Sequence, residues 1–120
     1  MATANSDWGQ PTWKLIFDAG SELHGATVPF LFSTNTSAIN NLTLGYIMKD
    51  WFLSFAINLD PNVQTFSNVT GKPYWPQYQT PGTANFTIMD VNYTMVGIER
   101  DYDASPQCDF FHSQSYVVRN

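Results

Sequence analysis

The stretch LGYIMKDWFLSFAIN, Leu44 to Asn58, sets Leu44, Ile47, Met48, Trp51, Phe52 and Phe55 at intervals of 3, 1, 3, 1 and 3. That recurrence predicts an amphipathic helix with a wide aromatic face, because residues three and four apart lie on one side of a 3.6-residue turn. Asn41 or Thr43 is placed to cap its start. LDPN, Leu59 to Asn62, ends it, since a residue before proline is steered away from helical angles. Trp51, Phe52 and Phe55 together carry several hundred Å² of apolar surface, roughly 5 kcal/mol at about 25 cal/mol per Å² if buried. A helix of this kind needs a sheet to lie on.

The sheet is sought on either side. TWKLIFD, Thr12 to Asp18, is rich in aromatic and branched residues, stops at the turn-forming DAGS, and reads as a buried strand. The loop after it carries Glu22 and His24. TVPFLF, residues 27 to 32, reads as a short extended run in which Pro29 excludes a central ladder position. NFTIMDVNYTMVGIERD, Asn85 to Asp101, reads as a hairpin with strands either side of DVN. Between helix and hairpin, GKPYWPQYQTPG has the composition of an irregular segment pinned by its rings. CDFFHSQSYVVRN closes the chain, apolar at Phe110 and Phe111. Strand, helix and hairpin point to an α/β fold in one unit spanning residues 1–120, with no repeat or linker to divide it.

The totals exclude some partners. With a formal net charge of -5 and Lys14, Lys49, Lys72, Arg100 and Arg119 as the only cations, none adjacent, the 120 residues offer nucleic acid no phosphate-neutralising patch. The acidic cluster ERDYD, Glu99 to Asp103, reads as a solvated turn. No apolar run approaches the roughly 20 residues that cross a bilayer, and MATANSDWGQ lacks the basic start and apolar middle of a signal peptide. Five acceptor triplets, beginning at Asn35, Asn41, Asn68, Asn85 and Asn92, nevertheless suggest a secreted glycoprotein. Cys108 is the only cysteine, and secreted proteins usually pair theirs. The missing leader and the missing cysteine partner both hint at sequence upstream.

His24, in ELHGATVPFLF, is the residue on which function turns. Cys108 and His112, with three residues between them, could join His24 and Glu22 around a metal, but a closed zinc site usually shows two ligand pairs and here there is one. Asp18, Ser21 and His24 could form a local triad, yet three side chains of one short loop seldom satisfy both hydrogen bonds a triad needs. No serine lies in a Gly-x-Ser-x-Gly elbow. A histidine among apolar residues can also be merely structural, and His112, near the end of the chain, is read as structural or exposed.

Four segments in order, SELHGATVPFLF, DWFLSFAINLDPN, YWPQY and CDFF, resemble the C-terminal part of the type-B carboxylesterase and lipase family, which includes fungal lipases and cholinesterases. In that family a His-Gly followed by a run into Phe marks the catalytic histidine, and His24-Gly25 occupies that place. Trp51, Phe55-Ala56 and Asp60-Pro61-Asn62 match the helix before the family's Asp-Pro-Asn. Phe111 replaces the usual Trp of its Cys-x-Phe-Trp. The resemblance implies the last portion of an α/β-hydrolase fold, in which His24 is the triad histidine and the serine, the acid and the oxyanion glycines lie upstream. It implies an ester or lipid substrate for the longer parent and no metal or cofactor. The family commonly bridges the cysteine of Cys-x-Phe-Trp to one upstream, a partner not found in these residues. By the same resemblance the isolated chain is expected to be inactive. The family also contains adhesion proteins without a working triad, so a non-catalytic binding module is the competing expectation.

Overall fold

A computed structural model describes residues 2–20, 23–34, 39, 41–79, 86–107 and 110. Among the described residues six elements follow one another: α1 (Ala2–Asp7), β1 (Leu15–Phe17), α2 (Val28–Phe32), α3 (Leu42–Asn58), β2 (Thr87–Val91) and β3 (Val96–Arg100). The three strands form one sheet in the order β1-β2-β3. β1 runs parallel to β2, pairing Leu15 with Met89 and Phe17 with Val91, while β2 and β3 form an antiparallel hairpin. A parallel pair needs a long crossover, and α2 and α3 lie within it. Helices and a mixed sheet make the class α/β.

The expected helix begins two residues before Leu44. Asn41, in extended conformation, accepts the Leu44 N–H on its side-chain oxygen at 3.0 Å, so Asn41 rather than Thr43 is the cap. At the far end Leu59 turns into the left-handed region at φ 58°, where its N–H bonds the Phe55 carbonyl. A β-carbon makes that conformation cost roughly 1 kcal/mol. Ser54 helps to hold the turn by donating its hydroxyl to the Asp60 carbonyl at 2.7 Å.

The inner face of α3 is buried through Leu44, Ile47, Met48 and Trp51, which meet Met89 and Val91 of the sheet and Phe30 of α2 in one core. Phe17 stands edge-on to Phe30 with centroids 5.2 Å apart. α3 packs against Ile39 at Gly45, where a Cβ would meet two Ile39 carbons at 3.4 Å, the near limit of ordinary van der Waals contact. The aromatic face is narrower than its spacing suggests. Trp51 is fully buried, whereas Phe52 and Phe55 are each 45% exposed. The chain covers only part of the apolar surface that the helix presents.

Two local readings are corrected. Residues 28–32, expected to be extended, form the short helix α2, because proline is accommodated in a first helical turn whose N–H groups have no partner to lose. The hairpin turn is Asn92 to Met95, not DVN: Asp90 and Val91 belong to β2, and the Asn92 side chain accepts the N–H groups of Thr94 and Met95 at 3.0 and 2.7 Å.

Among the described residues no strand lies beyond β1 in the sheet. The bonds from Met89 N–H to the Lys14 carbonyl and from Asp18 N–H to the Val91 carbonyl turn the even-numbered residues of this strand toward β2. Leu15 and Phe17 therefore direct their backbone groups away from the sheet, and no neighbour among the described residues pairs with them.

Candidate functional site

β1 leads directly into the loop that carries His24. Asp18 is still laddered to Val91, Ala19 is buried, and Gly20 turns at φ 83° against the Tyr93 side chain. A Cβ on Gly20 would stand 2.8 Å from the Tyr93 hydroxyl, so a larger residue would have to displace the end of that side chain as well as adopt a strained left-handed angle. From Leu23 the chain makes tight turns, with Ala26 N–H bonded to the Leu23 carbonyl and Val28 N–H to the Gly25 carbonyl, each at 2.9 Å. His24 stands at the head of these turns with its side chain exposed and makes no hydrogen bond to any described residue. Asp18 is exposed and is not joined to it.

Ser21 and Glu22 lie outside the described residues, as do Cys108, Phe111 and His112. Among the described residues no three His, Cys, Asp or Glu side chains are grouped to hold a metal ion. No described helix is long and apolar enough to cross a membrane. Of the glycan acceptors, Asn68 is exposed, Asn92 uses its side-chain oxygen in the hairpin turn, and Asn41 caps α3 while its amide donates to the Tyr93 carbonyl at 3.3 Å. Asn35 and Asn85 fall outside the described residues.

The other quoted segments meet around α3. Asp60 Oδ1 accepts both the backbone and the side-chain N–H of Asn62, at 2.8 and 3.0 Å. Asn62 then reads both backbone groups of Trp75, donating to its carbonyl at 2.9 Å and accepting its N–H at 2.7 Å. The DPN turn and the YWPQY segment are thus one hydrogen-bonded joint, closed over by the tilted rings of Trp51 and Trp75 5.3 Å apart. Beside it, Trp13, Trp51, Phe52, Phe55 and Trp75 wall a cavity of about 410 Å³ in which His24 takes no part. The indole N–H groups of Trp13, Trp51 and Trp75 all donate to backbone carbonyls. The cavity therefore meets their rings as apolar surface.

Three described carboxylates, Asp50, Asp90 and Asp101, are buried, which the sequence pattern does not announce. Asp50, on the inner face of α3, accepts the N–H groups of Phe66 and Ser67 at 2.9 Å each, and the Ser67 hydroxyl as well. Asp101, read as part of a solvated turn, is buried. It accepts Lys14 Nζ at 2.7 Å and the Tyr78 hydroxyl at 2.6 Å on one oxygen, and the Asp103 N–H at 3.0 Å on the other. The acidic run gave no sign of this because the cation that neutralises it is 87 residues away in sequence.

Electrostatics follow from these contacts. Burial alone would raise Asp101, but its bonds from Lys14 and Tyr78 hold the carboxyl below its ordinary value. Burial alone would lower Lys14, and its bonds to Asp101 and Asp103 hold the ammonium above its ordinary value. The Tyr78 phenol is pushed up by burial and by the same carboxylate. This clasp ties the chain before β1 to the chain after β3. Asp90 of β2 is also buried, and its Oδ1 has no partner among the described residues.

No protein family, curated protein or solved structure matches the chain.

Proposed function

We propose that these 120 residues are the C-terminal segment of a secreted carboxylic-ester hydrolase and that His24 is its triad histidine, completed by a serine, a carboxylate and oxyanion donors from outside them. What carries the reading is the position of His24: an exposed imidazole, without a hydrogen bond to any described residue, on the turn that follows the carboxyl end of a parallel strand. Ligand sites of open α/β sheets gather beyond that end of the strands. The joint between Asp60, Asn62 and Trp75 supports the reading further, because two of the resembling segments contact each other through residues of the motifs themselves.

In this mechanism His24 takes the proton of the serine hydroxyl as its oxygen attacks the ester carbonyl. It returns that proton to the departing alcohol when the tetrahedral intermediate collapses, and repeats both transfers with water to release the acid. By the resemblance the orienting carboxylate comes from outside these residues, and no described acid is hydrogen-bonded to the ring. The exposed asparagine of the Asn68 triplet supports passage through a glycosylating compartment.

The test is p-nitrophenyl ester hydrolysis by a reconstructed full-length protein with and without His24→Ala. The substitution is expected to lower kcat/KM by at least about 100-fold, the lower end of what acid-base assistance supplies. Unchanged activity would defeat the assignment of His24, and absence of turnover in the unsubstituted full-length protein would favour a non-catalytic glycoprotein module.

A further inference from the structure

The two outer edges of the sheet differ. β3 carries Glu99 and Arg100, exposed charges of the kind that discourage another strand from joining. β1 reads Leu-Ile-Phe, has no charge within it, and leaves the N–H and C=O groups of Leu15 and Phe17 facing outward with no partner among the described residues.

We infer that the isolated 120-residue chain closes this edge on a second copy of itself, the two β1 strands pairing antiparallel about a two-fold axis at Ile16. The register is self-complementary. Leu15 faces Phe17 of the second copy and Phe17 faces its Leu15, so the two outward N–H and two outward C=O groups of each strand find their complements in four hydrogen bonds. Any shift by one residue would set outward groups against inward ones. On one side of the new sheet Leu15 and Phe17 form apolar cross-strand pairs, continuous with half-exposed Phe55 beside the aromatic cavity. On the other side the pairing sets Lys14, which has bonds to Asp101 and Asp103, opposite the exposed carboxylate of Asp18 on the second copy. A two-fold contact of this kind is closed and stops at the dimer.

The inference concerns the chain by itself and stands apart from the enzymatic reading, whose test measures turnover. A three-residue strand makes a small interface, so a dissociation constant on the order of 10 µM is expected. Sedimentation equilibrium up to about 100 µM should show the mass rising from 13.6 kDa to twice that value and no further. Because Ile16 faces its own copy at the axis, Ile16→Lys and Ile16→Glu should each be monomeric, and mixing the two should restore a dimer. Leu15→Pro removes an outward N–H without touching the β1–β2 ladder and should weaken the wild-type dimer at least tenfold. A wild-type chain that stays monomeric, or that grows beyond the dimer, overturns the inference. So does failure of the Ile16→Lys and Ile16→Glu variants, each folded by circular dichroism, to recover a dimer on mixing.

Discussion

The body around α3 and the loop around His24 spend their polar groups in opposite ways. In the body, Asp50, Asp60, Asn62 and the indoles of Trp13, Trp51 and Trp75 direct donors and acceptors at backbone groups of the same chain. In the loop, His24 and Asp18 present their side chains to solvent with no hydrogen bond to a described neighbour. A polar group satisfied inside the fold holds segments in register, and its loss leaves its partners unpaired. A polar group held out on a short turn contributes little to stability and is available to a partner brought from elsewhere. The contrast separates residues that maintain this fold from the residue proposed to do chemistry.

The clasp of Lys14, Tyr78 and Asp101 gives the largest expected effect on stability. Asp101→Ala leaves the buried Tyr78 phenol without its acceptor and Lys14 with only the exposed Asp103, and removing one partner of this largely buried pair should cost about 3 kcal/mol in urea unfolding at neutral pH. The pH dependence carries a sign. The Asp101 contribution is complete above the ordinary carboxylate value and is lost as pH falls through its lowered one. The Lys14 contribution is complete below the ordinary ammonium value and is lost as pH rises through its raised one. The difference between wild type and Asp101→Ala should therefore be flat between about pH 5 and pH 9 and shrink outside that window. A difference that grows toward acid would show that Asp101 is not held as a carboxylate.

Asp50→Ala should act next, at about 2 kcal/mol, because it removes the acceptor of the Phe66 and Ser67 N–H groups at the segment that leaves α3. Asp50→Asn should recover part of this loss, since both N–H groups converge on one carboxylate oxygen that an amide oxygen can replace, while the Ser67 hydroxyl loses its acceptor. Equal losses in both variants would mean that the carboxylate charge, rather than the hydrogen bonds, anchors the segment.

What can be read from residues alone divides along the same line. The 3-and-4 spacing locates α3 to within two residues, and the branched and aromatic runs locate β1 and the hairpin, because periodicity is a local property of the chain. The α2 segment reads wrongly as extended because Pro29 is compatible with an edge strand and with a first helical turn, and the core contact of Phe30 decides between them. The α1 helix has no apolar stripe to announce it. Asp101 reads wrongly as solvated because burial and pairing across 87 residues leave no mark on the acidic run. His24 is singled out by its neighbours in sequence, and its exposure on a turn after β1 becomes visible only with the fold.

His24→Ala should give the smallest effect on stability and so makes the sharpest use of the contrast. The side chain is exposed and gives up no hydrogen bond to a described residue, so the substitution should shift urea unfolding by no more than about 0.5 kcal/mol. The outcome bears on function because a structural histidine and a catalytic one predict different pairs of results. A histidine that braces the loop would lower stability when removed, and any loss of activity in the longer protein would follow the unfolded fraction. A histidine held out for proton transfer would leave the unfolding midpoint in place, while esterase activity in the longer protein would fall by orders of magnitude at unchanged fold. Measuring both quantities on the same substitution separates the two. A loss of stability of about 2 kcal/mol or more would remove His24 from the outward-facing class and join the loop to the body.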